Sequence, residues 1–328
     1  MLTIASAFAA LFTLANPQQT PGPDLTIYAK PQRLVMLPDG RRMNLHCTGK
    51  GAPTVILEGG WTTNTIWWRD IQPRVAATTR VCSYDRAGYG FSDAGPMPRT
   101  AAAIASDLAA MLKAAKIDGP YILVAHSLGG LDARIFADRN PKTVKGMLLI
   151  DPSTPHMDKR MDAASPGYAA EMNGMVDAVG TCADGVAAGT LKADDPASRA
   201  CIDPPSKTLP AAINDARRAQ QLSPGYQRTA ASELRSIELS SNEVDASRRS
   251  WGAMPLIVLT AGQSNAGPDV PKDKQAKLDA EWWAMHDEAA KLSTRGEHRL
   301  VPESSHFIPK DNPDLMIAAI EELIRAAR

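Results

Sequence analysis

The sequence predicts an α/β fold: a mostly parallel sheet of eight strands, helices on both faces, and a helical cap inserted after strand six. Three observations carry this. Short apolar runs rich in Val, Ile, Leu and Tyr alternate with segments of helical periodicity. The first two runs flank Asp39-Gly40, a hairpin signal that makes the sheet begin antiparallel. The alternation then stops between residues 152 and 252 and resumes after them.

Element by element, "QRLVMLPDGRRMNLHC" gives the opening hairpin. "PTVILEGG" reads as a buried strand ending in glycines, and "RVCSYD" as the next strand, followed by "RAGYGFSD". "TAAAIASDLAAMLKAAK" places Ile104, Leu108, Met111 and Leu112 on one helix face. The strand "YILVAH", the helix "LDARIFADR" and the strand "GMLLID" follow. The insertion is rich in Ala, Asp and Pro, has helical patches, and carries Met157, Met161, Met172 and Met175. Beyond it come "PLIVLTAG", a helix around "AEWWAMHDEAAKL", "HRLVPES", and a last helix with Asn312 as its cap and Pro313 in its first turn. The domain reading is a core of residues 24–151 and 253–328 with residues 152–252 as the cap.

Composition narrows the partners. The 328 residues are 44% hydrophobic and 22% charged, as in an ordinary globular chain. Lys+Arg and Asp+Glu both number 36, so there is no basic surplus to track a nucleic-acid backbone. The first fifteen residues, "MLTIASAFAALFTLA", are uncharged and shorter than the roughly 20 residues of a membrane span. They read as a signal peptide cleaved near Ala15, with retention as an anchor the alternative, since no Lys or Arg precedes them. A periplasmic or secreted protein is expected, without a membrane span after cleavage. Its four cysteines fit such a compartment. Cys182–Cys201 is the expected disulfide, whereas Cys47 and Cys82 either pair or stay as buried thiols. None has metal-ligand spacing, and no cofactor is expected.

The chemistry centres on Ser127. Ala125-His126-Ser127-Leu128-Gly129 follows the G-x-S-x-G pattern with alanine first, between a strand and a helix. That setting presents a serine on a tight turn as a nucleophile. A serine needs a base, and His306 lies in the loop between the last strand and the last helix. His286, on a helix beside charged residues, is expected at the surface. The base needs an acid. Asp151 ends the apolar run "LLID", where an unpartnered carboxylate is costly; Asp269 is the alternative in a loop whose first positions read Gly262-Gln263-Ser264-Asn265. Leu128 N–H is expected in the oxyanion hole, with Gly60 N–H or its neighbour Trp61 as the second donor from "LEGGW". Trp61 and His126 are expected to line the substrate. The cap methionines fit an apolar group, while Trp67 and Trp68 read equally well as packing residues and Trp282 and Trp283 as core or surface.

"VILEGGW", "YDRAGYGFSD", "VAHSLGG", "LLIDPS" and "SSHFIP" stand in the order found in α/β-hydrolase-fold serine hydrolases, and the chain resembles that superfamily over residues 30–151 and 253–328. The resemblance implies an acyl-serine mechanism, a structural role for the Asp85–Ser92 turn, and an acid at Asp151, an arrangement some members use. It departs from the common pattern at Glu58, where histidine usually precedes the oxyanion glycine. Members with an aspartate nucleophile, the haloalkane dehalogenases and epoxide hydrolases, differ at position 127. The expected function is hydrolysis of a small apolar carboxylic ester. Amide or lactone hydrolysis (N-acyl homoserine lactones included), carbon–carbon bond hydrolysis, and a non-catalytic binding module are the alternatives.

Overall fold

In the computed structural model the described residues are 24–192, 194–247, 250–264 and 270–328. The expected signal segment 1–15 and the alternative acid Asp269 lie outside them. Eight strands form one sheet: β1 (Leu34–Met36), β2 (Arg42–Thr48), β3 (Thr54–Glu58), β4 (Val81–Tyr84), β5 (Tyr121–His126), β6 (Val144–Ile150), β7 (Leu256–Ala261) and β8 (Gly296–Val301). Their spatial order is β1-β2-β4-β3-β5-β6-β7-β8. The β1–β2 and β2–β4 pairs are antiparallel, and every later pair is parallel. Gly40, at a φ of +86°, turns the opening hairpin.

The helices between the strands are α1 (Gln72–Val75), α2 (Ala101–Ala115) and α3 (Gly129–Arg139). Between β6 and β7 run α4 (Met157–Ala164), α5 (Tyr168–Ala187), α6 (Ala211–Gln221), α7 (Pro224–Arg235) and α8 (Ile237–Ser247). The chain closes with α9 (Lys272–Ala290), α10 (Ile308–Asp311) and α11 (Pro313–Ala326). Among the described residues the insertion holds no strand, as expected from its sequence. Local chemistry sets the ends. Thr100 accepts from the Ala103 N–H to start α2, and Lys116, in the left-handed region, stops it. Asn312 accepts from the Leu315 N–H ahead of Pro313 to start α11.

The sheet is buried on both faces, so its central strands are apolar throughout rather than alternating with polar residues. Along β5, Leu123 and Ala125 join the core packed by α2 and α3, while Ile122 and Val124 join the core packed by α1 and α11. Cys47 and Cys82 face each other across the β2–β4 ladder and are bonded, with Cα atoms 4.1 Å apart. Cys182 on α5 is bonded to Cys201, tying the insertion to itself. No helix among the described residues is long and apolar enough to cross a membrane.

Candidate active site

The carboxyl ends of β3, β5, β6 and β8 converge, and each delivers one part of the site. β5 ends at His126, and Ser127 follows at a φ of +53° before α3 begins. That left-handed conformation is uncommon for a residue with a Cβ. It is held from both sides: the Ser127 N–H donates to the Ile150 carbonyl at 3.0 Å, and its carbonyl accepts from Ser153 and Gly130 at 2.9 Å each. The turn passes so close to β3 that a Cβ at Gly129 would lie 2.5 Å from the Gly59 carbonyl oxygen. Glycine at 129 is therefore a packing requirement.

Ser127, His306 and Asp151 form one hydrogen-bonded row. His306 Nε2 lies 2.9 Å from Ser127 Oγ, and His306 Nδ1 lies 2.6 Å from Asp151 Oδ2. Asp151 is fully buried, yet its other oxygen accepts from the Ala261 N–H at 3.0 Å and from Trp282 Nε1 at 2.9 Å. Burial pushes its carboxyl up, but the His306 hydrogen bond, the nearby His286 and the other donors outweigh it and hold it well below the usual carboxylate range. An ionised Asp151 can only accept, so Nδ1 carries the His306 proton and Nε2 presents its lone pair to the serine hydroxyl.

The remaining histidines divide sharply. His126 is buried, stacks on Trp67 with ring centroids 5.6 Å apart, and donates through Nε2 to the His306 carbonyl at 2.9 Å. Burial, reinforced by the neighbouring His306, lowers it to about 3, so it stays neutral. His286 corrects the surface expectation: it is fully buried, where β7, α9 and the Asp151 loop meet. Its Nε2 donates to the Pro152 carbonyl at 2.9 Å, and its Nδ1 lies 2.6 Å from Thr260 Oγ1. Its charged neighbours Asp287 and Glu288 are exposed, whereas Met285, His286, Ala289 and Ala290 turn inward, and that division shows only once α9 is packed. Trp282 was likewise missed: it supports Asp151 from α9, and no local sequence signal distinguishes it from a packing tryptophan.

The glycine turn after β3 sits beside Ser127, so that a Cβ at Gly60 would lie 3.0 Å from Ser127 Cβ. It is fixed from below by Arg86, a fully buried side chain from the "YDRAGYG" turn. Arg86 donates to the carbonyls of Gly59 and Gly60, to Glu58 at 3.0 Å, and through two nitrogens to Glu233 of α7 at 3.0 and 2.9 Å. In a trans peptide the C=O and the next N–H point oppositely. Holding the Gly59 and Gly60 carbonyls toward Arg86 therefore turns the Gly60 and Trp61 N–H groups away from it. Tyr84 also donates to Glu58, and Tyr89 donates to Glu233 at 3.0 Å. Burial pushes the Glu58 carboxyl up while Arg86 opposes the shift. The sequence held the clue, since Glu58 ends "VILE" as Asp151 ends "LLID", and a buried carboxylate needs a partner.

A chamber of about 510 Å³ opens above Ser127. Met157, Met161, Met172 and Met175 all line it, together with Trp61, Trp282 and Phe307. Leu128 stands on its wall, and Trp61 is pinned to α7 by a 2.9 Å hydrogen bond from Nε1 to the Ala230 carbonyl. Gly60, Trp61 and His126 face a second opening at the same serine. Among the described residues no cluster of three or more His, Cys, Asp or Glu side chains could hold a metal ion.

Comparison with known proteins fits this architecture. The model of the alpha/beta hydrolase fold matches residues 53–313. The uncharacterized protein YqjL of Bacillus subtilis (strain 168) is 24% identical over 282 residues, 86% of this chain and 87% of that one. The 2-hydroxy-6-oxo-2,4-heptadienoate hydrolase of Pseudomonas putida is 29% identical over 150 residues, 39% of this chain and 54% of that one. Among solved structures, the epoxide hydrolase CorEH superposes with a TM-score of 0.61 at 18% identity, covering 90% of this chain and 99% of that one. The match to the family model spans most of the chain, and the protein belongs to the alpha/beta hydrolase fold family.

Proposed function

We propose that the protein is a serine hydrolase that cleaves carboxylic esters with an apolar half through an acyl-serine intermediate. The observation that carries this is the row Ser127–His306–Asp151, with contacts of 2.9 and 2.6 Å. In the proposed reaction Ser127 Oγ attacks the carbonyl carbon as its proton passes to His306 Nε2. The oxyanion is met by the N–H groups of Leu128 and Gly60, the latter aimed by Arg86. The C–O bond breaks, and the alcohol leaves with the proton from His306. Water then attacks the acyl-serine as His306 takes its proton, and His306 passes that proton to Ser127 Oγ as the acyl C–O bond breaks and the acid leaves. Asp151 stabilises the imidazolium at both stages without taking its proton.

Residues 152–252 serve in this reading as a cap whose methionines receive the apolar half. Serine at position 127 favours acyl transfer over epoxide opening, which in this fold uses an aspartate nucleophile. The Pseudomonas putida hydrolase keeps carbon–carbon bond cleavage as a second reading, because the same row of residues serves it. The two disulfides support a periplasmic or secreted location. A chain-length series of p-nitrophenyl esters tests the proposal on wild type and Ser127→Ala. Turnover with a chain-length optimum, absent from the variant, is expected. Equal turnover by the variant would end the proposal, and poor turnover of every ester by wild type would move the reading to amides or carbon–carbon bonds.

A further inference from the structure

Ser127 stands at the junction of two chambers of opposite character. Beside the methionine chamber lies a second one of about 660 Å³, and Trp61, Ser127, His306 and Phe307 line both. The only Asp, Glu, Lys or Arg on the described wall of the first is Asp279. The second carries Arg69, Arg217 and Lys310 against Asp203. Arg217 contacts Asp203 at 3.0 Å, and Arg69 contacts Asp70, outside the wall, at 3.5 Å. Counting both acids, the wall still keeps a positive surplus.

A second observation, independent of charge, lies at its floor. His126 lines this chamber and not the first. Its Nε2 donates to a carbonyl, and the ring is neutral, so Nδ1 carries a lone pair. That atom is buried and has no hydrogen-bond partner in the protein. Buried acceptors are rarely left so, because the lost hydration is not replaced. It lies beside the position a Gly60 Cβ would take, 3.0 Å away, next to the reacting serine.

We propose that the second chamber is the site for the polar, anionic half of a two-ended ester. A carboxylate at the far end pairs with Arg217, Lys310 and Arg69. A hydroxyl or N–H near the scissile carbonyl donates to His126 Nδ1. The apolar half occupies the methionine chamber. The inference rests on the serine-hydrolase reading for the position of the scissile bond, but the chamber's preference can be measured without turnover.

The test is calorimetric titration of Ser127→Ala with paired ligands. Monooctyl succinate carries its anion in the acyl half, and the octanoyl ester of 4-hydroxybutanoate carries it in the alcohol half. Each is compared with its neutral carboxamide. In at least one pair the anion should bind about tenfold more tightly, the scale of one charge-assisted contact. Arg217→Gln should erase most of that preference, and raised salt should weaken it. The 1-octyl ester of malate adds a hydroxyl beside the scissile carbonyl and should bind more tightly than the succinate. Equal affinities within both pairs would overturn the proposal, and a malate no better than succinate would overturn the part assigned to His126. Turnover of p-nitrophenyl octanoate by wild type reports separately on the hydrolase reading, so the two failures are distinguishable.

Discussion

The strand-end loops beneath Ser127 and the inserted helices above it are built on different principles. Below, backbone and side chains are held by several contacts each. Ser127 and Asp151 keep positive φ values of 53° and 41°, and both Asp151 oxygens are engaged. Arg86 is tied to two carboxylates and two carbonyls. Above, α4 and α5 present long unbranched methionines, and Met175 is 41% exposed. Rigid placement suits groups that must meet a reacting atom, and adaptable apolar side chains suit groups that only select it. Glu233 joins the two regions, reaching from α7 into the buried cluster around Arg86.

The comparison breaks most visibly at the serine. Ser127→Ala should lower kcat on p-nitrophenyl esters on the order of 10⁴-fold or more while the circular dichroism spectrum is unchanged. Asp151→Asn should lower kcat by about 10³- to 10⁴-fold, because the amide favours the wrong tautomer of His306. Asp269→Asn should leave it near wild type, and the reverse ranking would move the acid. Arg86→Met should cost about 10²-fold in kcat with KM little changed, the signature of a misaimed oxyanion donor. It should also destabilise by about 3–5 kcal/mol, since Glu58 and Glu233 lose their shared partner. A loss of stability with kcat intact would reduce Arg86 to a purely structural role.

Acid should strike the lower region through its neutral imidazoles. Burial lowers His286 from 6.5 to about 4, with Asp151 opposing. A histidine depressed in the folded state leaves stability untouched above pH 6.5. Below it the unfolded chain binds the proton first, and stability falls until the pH reaches about 4. By pH 5 His286 alone should account for about 2 kcal/mol. Urea midpoints at pH 7, 6 and 5 would show the decline, and His286→Gln should flatten it; a flat wild-type profile would contradict the assignment. The smallest effect belongs to the upper region. Met161→Ala should raise KM for long-chain esters by about threefold to tenfold and shift the chain-length optimum, with kcat for short esters nearly constant.

The legibility of the sequence followed the same division. The eight strands, the Ser127 turn and His306 could be read because tight turns and buried strands restrict which residues are allowed, whereas the placing of β4 between β2 and β3 could not. Asp151 was readable as a carboxylate ending an apolar run. Glu58 offered the same signal, but its partner Arg86 looked like part of a turn motif. The second carboxylate held by Arg86, Glu233, lies 147 residues beyond it, in a helix whose sequence names no contact. His286 was misplaced, and the Trp282 contact with Asp151 was missed, because the inward face of α9 meets the site only after folding. The insertion's helical content was legible, whereas the chamber walls it supplies depend on how its helices pack.

The most direct measurement of the central claim is covalent: folded protein treated with a fluorophosphonate, digested, and mapped by mass spectrometry. One adduct per chain is expected, on the peptide containing Ser127. It should be lost in Ser127→Ala and form far more slowly in His306→Asn. An unlabelled wild-type protein, or a label at any other serine with Ser127 untouched, would contradict it.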